Sequence, residues 1–323
     1  MRKMTFTFDV EDFTNKGAFM ALQATIELLD RYGFNGIFLI TGHVAEKLYN
    51  YPKIVELLEA HEVGYHSSGH SVHPTIFEFT DVKSYKEAYE ISLKRETSHI
   101  NPLTGQMEGE GGIVALQKLF PFKKITAFRA PGYCWNPPHL EALRDLGIKF
   151  DFSAKLSKTP VHYKGITFYP YPILAQWNGK PSDFRLFWIT TAKTPYTVIG
   201  LHPSLFATYD GWDTIYFNGN PRAIVPPKPR DPQEVKSLIK SFDLFLKNIK
   251  IFEKLGLIEV TTKLENTKNE LVITNETVEK CYAHSMRWAK NVFNYKPRYL
   301  RNQFYHFFNV PASQNLEPKR ESP

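Results

Sequence analysis

Two of the eleven histidines stand where they could share an ion. His66-Ser67-Ser68-Gly69-His70 spaces two imidazoles four residues apart on a stretch that serine and glycine allow to turn. At this histidine content such a pair is common by chance, and His73 just beyond makes His70/His73 a rival. A second cluster, Asp9-Val10-Glu11-Asp12, crowds three carboxylates at the end of one apolar run. Like charges that close need a cation, a proton or water. A divalent ion would take one carboxylate as ligand and leave another as general base. Phe128-Arg129-Ala130-Pro131-Gly132-Tyr133 offers a permanently charged guanidinium able to hold a carboxylate such as Asp9, then a Pro-Gly turn able to aim a backbone N–H. In Ile199-Gly200-Leu201-His202 one more imidazole follows an apolar run directly. Each feature alone has an ordinary alternative: a solvated acidic strand end, a chance pair, a structural histidine.

The elements that must position these residues alternate. Thr5 to Val10 reads as a strand, Ala18 to Arg31 as a helix stopped by Gly33, and Gly36 to Ile40 as a short strand buried on both faces. A helix from Pro52 to His61, a strand from Val63 to His66, and helices over Asp81–Arg95 and Ile113–Phe120 follow. Next come a strand Ile125–Phe128, a helix Pro138–Leu146 and a strand Lys149–Phe152. Further strands are predicted at Thr167–Tyr171, Phe184–Thr190, Thr197–Leu201 and Leu257–Val260, the last after a long helix Glu234–Leu255. Such alternation predicts a mostly parallel sheet with helices outside, and in such folds chemistry sits at the carboxyl ends of strands. Asp9, His66, Arg129 and His202 all fall at those ends.

The order and spacing of the four motifs resemble the polysaccharide deacetylase family, the NodB-homology domain, over about residues 1 to 263. The resemblance implies an α/β fold, a distorted (β/α) barrel, and a metal-dependent hydrolase that removes an N-acetyl group from an amino sugar. It implies Asp9 as general base held by Arg129, and an acidic residue with His66 and His70 as ligands of a divalent metal, usually zinc. It further implies a backbone N–H near Gly132 or Tyr133 for the oxyanion, and His202 as the acid for the leaving amine. The chain departs from the family pattern at Val10-Glu11, which separates two aspartates that are usually adjacent. Asp12 is therefore the expected metal ligand, with Glu11 the alternative. Asp151-Phe152-Ser153 is the nearest counterpart of the intervening Asp/Trp motif, and Cys134 beside the site reads as a small buried residue. Two other functions remain open: hydrolysis of a small cyclic amide, as in allantoinase-like relatives of the fold, and glycan binding without catalysis through Trp135, Trp177 or Trp188.

Composition sets the frame. The 323 residues are 42% hydrophobic and 15% aromatic, enough to bury a full core. No apolar run reaches the roughly 18 residues of a membrane span, and no apolar segment follows Met1-Arg2-Lys3, so a cytoplasmic location is expected. The substrate expected there is an acetylated amino sugar, a sugar nucleotide or a glycan precursor, with no nucleic acid as partner. From residue 281 to 310 there are five basic residues and no acidic one, so this segment carries +5 of the chain's +7. Residues 264–323 thus read as a basic, aromatic, mostly helical extension. Trp288, Val292, Tyr295 and Tyr299 mark its apolar side, and the basic side is suited to an anionic membrane surface.

Overall fold

A computed structural model describes residues 1–70, 82–174, 195–211, 224–287 and 301–309. Period-two alternation organises the first strand, β1 (Arg2–Val10). Met4, Phe6, Phe8 and Val10 pack into the main core. Thr5 and Thr7 turn the other way: Thr5 meets the hydroxyl of Tyr196, which belongs to a second apolar cluster with Ile37, Leu39, Phe150 and Phe152. One face of β1 is therefore apolar, and the other carries a polar row that ends at Asp9.

The remaining strands in chain order are β2 (Gly36–Ile40), β3 (Glu62–Tyr65), β4 (Ser98–Ile100), β5 (Met107–Glu110), β6 (Ala127–Phe128), β7 (Phe150–Asp151), β8 (Val161–Tyr163), β9 (Ile166–Phe168), β10 (Ile173–Leu174), β11 (Tyr196–Leu201) and β12 (Ile258–Val260). The sheet runs β10-β11-β1-β2-β3-β6-β7-β9-β8, with β12 beside the start of β1. Every pairing in it is parallel except β8–β9. β10 and β8 form its two ends, so among the described residues the sheet curls into a half-barrel. The fold is thus α/β with a distorted, open barrel. Register brings the functional strand ends together: Phe8 pairs with both Leu201 and Phe38, and Tyr65 pairs with Phe128.

The helices are α1 (Lys16–Tyr32), α2 (Gly42–Leu48), α3 (Pro52–Leu58), α4 (Tyr85–Glu96), α5 (Ile113–Leu119), α6 (Pro137–Asp145), α7 (Ser204–Ala207), α8 (Pro232–Lys254), α9 (Asn275–Arg287) and α10 (Arg301–Phe308). Caps fix several starts: Asn15 accepts from Ala18 N, Ser84 from Glu87 N and Asn136 from His139 N. Gly33, at φ 65°, closes α1.

Helix α2 and the β4–β5 hairpin are absent from the sequence reading, since neither gives enough residues for a periodic signal. The strand expected at Phe184–Thr190 lies outside the described residues, as do Trp288, Val292, Tyr295 and Tyr299. Where the C-terminal extension is described, its helices turn apolar residues to the protein, while Val272 ahead of them is exposed. Val278, Cys281, Phe304, Tyr305 and Phe308 join the main core.

Candidate active site

The mouth of the half-barrel collects Asp9 and Glu11 from the end of β1, His66 and His70 from the loop after β3, Arg129 from the end of β6 and His202 from the end of β11. Asp9, Glu11, His66, His70 and Arg129 are all buried. Arg129 is fully enclosed, with Nη1 donating to Asp9 Oδ1 and Nη2 to Thr7 Oγ1 at 2.7 Å. The rings of Phe152 and Tyr133 flank its guanidinium at 5.8 and 5.9 Å. The other Asp9 oxygen lies 3.5 Å from His202 Nε2. Burial works to raise the Asp9 carboxyl, but Arg129, with His66 and His202 behind it, holds it below the ordinary value. Asp9 is therefore ionised at neutral pH.

Glu11 lies two residues beyond Asp9, on the same side of the chain. Its Oε2 sits 3.1 Å from His70 Nε2 and 3.4 Å from His66 Nε2. These three residues can present ligand atoms all within 4.8 Å of one another. Burial works against the charge on Glu11, but His70, His202 and His66 outweigh it and hold the carboxyl well below its usual range. His66 Nδ1 lies 2.7 Å from the Arg129 carbonyl. A carbonyl only accepts, so Nδ1–H donates to it and Nε2 is the nitrogen turned toward Glu11. That Nε2 is buried without a hydrogen-bond partner. An imidazole nitrogen and a carboxylate oxygen face each other favourably only with a proton or a metal cation between them. A histidine whose other nitrogen donates to a backbone carbonyl is the usual arrangement of a metal ligand. The donor set fits a divalent ion.

Asp12, the expected ligand, is placed elsewhere. One position past Glu11, it falls on the opposite side. Its Oδ1 accepts from Thr14 N at 2.8 Å and from Thr14 Oγ1 at 2.6 Å, and its Oδ2 accepts from Asn15 Nδ2 at 2.9 Å. Asn15 caps α1, so Asp12 orients the start of that helix. His73, Trp177 and Trp188 lie outside the described residues. Trp135 is buried against Phe168 and Phe308, in the core rather than on a glycan-facing surface. Cys134 is buried, and its thiol donates to Gly132 O at 3.5 Å.

Gly132 and Tyr133 sit in the left-handed region at φ 61° and 57°. For tyrosine that conformation costs roughly 1–3 kcal/mol and needs outside support. The Tyr133 N–H donates to Ala130 O at 3.0 Å, closing the turn on itself, so it is already engaged there. The Tyr133 ring packs at 4.7 Å from that of Tyr171, and its hydroxyl is buried without a partner.

Several residues that complete the site went unread in the sequence. Glu96, at the end of α4, is 1% exposed. Its carboxylate accepts from Tyr65 Oη (2.7 Å), Ser67 Oγ (3.0 Å), Ser68 N (3.0 Å) and His139 Nε2 (2.8 Å). It thus pins the His66–His70 loop, including Ser67 at φ 66°. Ala88, Ser92 and Glu96 recur every fourth residue on the buried face of α4, so an acid on a stripe of small residues was the available signal. Asp151 and Ser153, which the sequence did offer as the counterpart of the intervening motif, act on the Arg129 turn: Ser153 Oγ accepts from Ala130 N at 2.7 Å and donates to Asp151 Oδ2 at 3.1 Å.

No family profile matches the sequence, and no curated protein does. Solved structures do match. A candidate polysaccharide deacetylase of Mycobacterium smegmatis is 14% identical, with a TM-score of 0.46 over 82% of this chain and 94% of that one. A family 4 carbohydrate esterase from Streptomyces lividans, solved with acetate, is 12% identical, with a TM-score of 0.42 over 85% and 98%. A CE4 family pseudoenzyme from Bacillus anthracis is 11% identical, with a TM-score of 0.44 over 81% and 64%. In fold, the chain resembles the polysaccharide deacetylases. Roles for individual residues rest on the side-chain geometry of this chain alone.

Proposed function

We propose that this chain is a metal-dependent hydrolase that removes the N-acetyl group of an amino sugar. The observation that carries the reading is the juxtaposition of two sets on one barrel mouth: Glu11, His66 and His70 as a ligand triad, and Asp9 held between Arg129 and His202. Glu11, rather than Asp12, is the carboxylate ligand. When bound, a divalent ion, most plainly zinc, supplies a Lewis acid that polarises the acyl oxygen and acidifies water. Asp9 accepts the proton of the attacking water, with Arg129 fixing its orientation and its charge. His202, 3.5 Å from Asp9 and partly open to solvent, protonates the departing amine. With the Tyr133 N–H bonded to Ala130 O, the oxyanion donor assigned to this turn is the N–H of Gly132. The enclosed Trp135 speaks against glycan binding through that residue.

The test is acetate release from a panel of N-acetylated amino sugars. Asp9→Asn should keep the metal and lose roughly 10²–10⁴-fold in rate. Wild-type turnover in that variant, or metal loss without any rate at all in the parent, would remove Asp9 from the reaction and the reading with it.

A further inference from the structure

The C-terminal extension reaches the candidate site at one place. His284 of α9 lies with Nε2 at 2.8 Å from the carbonyl of Gly132. Since that carbonyl only accepts, the imidazole Nε2–H donates to it. The same stretch of chain is held at two further points. The backbone of Gly132 also accepts from the Cys134 thiol, and the Trp135 ring packs edge-on at 5.2 Å against Phe308 of α10. Helices α9 and α10 are in turn joined through Glu279, which accepts from Arg301 Nε at 2.7 Å and from Tyr305 Oη at 2.6 Å. Gly132 and Trp135 are therefore both held by an extension that places Val278, Cys281, Phe304, Tyr305 and Phe308 in the main core.

The turn so held is the one the barrel itself leaves strained. Gly132 and Tyr133 are consecutive left-handed residues, and the carbonyl of the first points away from the barrel to the extension. A peptide plane is rigid, so fixing the Gly132 carbonyl also fixes the N–H of Tyr133 on the same plane and the placement of the Tyr133 ring beside Arg129. Without the His284 donor, that plane is held only by the Tyr133 N–H bond to Ala130 O and the weak thiol contact from Cys134. Displacements of this size at a reacting centre lower rates strongly while leaving remote binding groups in place.

We propose that His284 is a positioning residue for the Arg129–Tyr133 turn, and that the extension serves the site as a brace from outside the barrel. The kinetic part of this proposal rests on the deacetylase reading; the conformational part does not. The experiment uses the full chain with His284→Ala and His284→Gln, since a glutamine amide can replace the Nε2–H donor. Amide hydrogen exchange of the peptide covering 129–135 should quicken about tenfold or more in His284→Ala, and return toward the parent rate in His284→Gln. Peptides carrying Glu11 and His66–His70 should be unchanged, as should zinc affinity measured by chelator competition. On an N-acetylated glucosamine oligomer as probe, kcat should fall about tenfold or more in His284→Ala with KM nearly constant, and His284→Gln should recover it. Unchanged exchange at 129–135 overturns the proposal whatever the activity. Exchange that quickens across the whole chain, together with loss of zinc, also overturns it, because His284 would then be a general support of the fold. Local exchange as expected with no turnover in the parent protein would leave the brace standing and remove the deacetylase reading instead.

Discussion

Glu11 and Asp12 differ by one position and therefore by one side of an extended chain, which gives them different chemistry. Glu11 shares the side of Asp9 and meets two imidazoles, whereas Asp12 is spent on Thr14 and Asn15. The expectation of Asp12 followed a family pattern of two adjacent aspartates; Glu11 and Asp12 both lie past the end of β1, where the sequence alone does not show which of them turns to the imidazoles. Glu11→Gln should therefore weaken zinc binding by more than about 100-fold, since it removes a charged ligand directly. Asp12→Asn should leave zinc in place and lower stability by about 1 kcal/mol through the weakened start of α1. Metal titration of the two variants side by side checks this, and equal zinc loss in both would contradict it. Asp9, Arg129 and His202 were legible as single residues at strand ends. Their direct contacts were not, because they join residues some 120 and 190 positions apart and depend on register.

Among the elements, α4 and the turn before α5 do most to hold the ligand loop. Gly112 has φ 57°, and a Cβ there would come within 2.2 Å of the Glu96 carbonyl oxygen and 2.8 Å of Tyr65 Oη. Both groups belong to the network that pins the loop from Ser67 to Ser68. Gly112→Ala should thus cost about 2–4 kcal/mol and loosen the metal site with it, as read by thermal melting and zinc affinity. β7 carries a different signature. Burial pushes the Asp151 carboxyl up to about 6, from an ordinary value of 3.8, against the hydrogen bonds from Ser153. The folded state then binds this proton more tightly than the unfolded chain does. Its contribution to stability is fully present below the unfolded value, declines as pH rises from about 4 to about 6, and levels off above. Denaturant melts across that range should show this decline in the parent and its loss in Asp151→Asn. Helix and strand positions were largely legible, since the apolar periods are strong. Helix α2 and the hairpin of β4 and β5 were not, being too short to show a period; Glu96 ends a readable stripe of small residues on α4, but its pairing with His139, 43 positions away, left no pattern in sequence.

At the scale of the whole molecule, an open half-barrel brings six reactive side chains from four strand ends to one mouth, and a C-terminal extension packs on its flank. The basic and aromatic composition of that extension suggested a surface seeking an acidic partner. Of its described aromatic residues, Phe304, Tyr305, Phe307 and Phe308 are buried, each at 3% exposure or less, and Tyr282 is half-buried. No helix among the described residues is long and apolar enough to cross a membrane. His66 Nε2 and the Glu11 carboxylate face each other in a buried space, where a divalent cation would join them. Metal should accordingly stabilise the fold as well as enable it to react, and a chelator should lower the melting temperature of the parent while leaving His66→Ala unmoved. The most direct measurement is elemental analysis of the purified, folded protein together with its His66→Ala and His70→Ala variants. The account predicts about one divalent ion per chain, most plainly zinc, in the parent and none in either variant. Folded parent protein that carries no divalent ion, takes none up on titration and works unimpaired in chelator would contradict it.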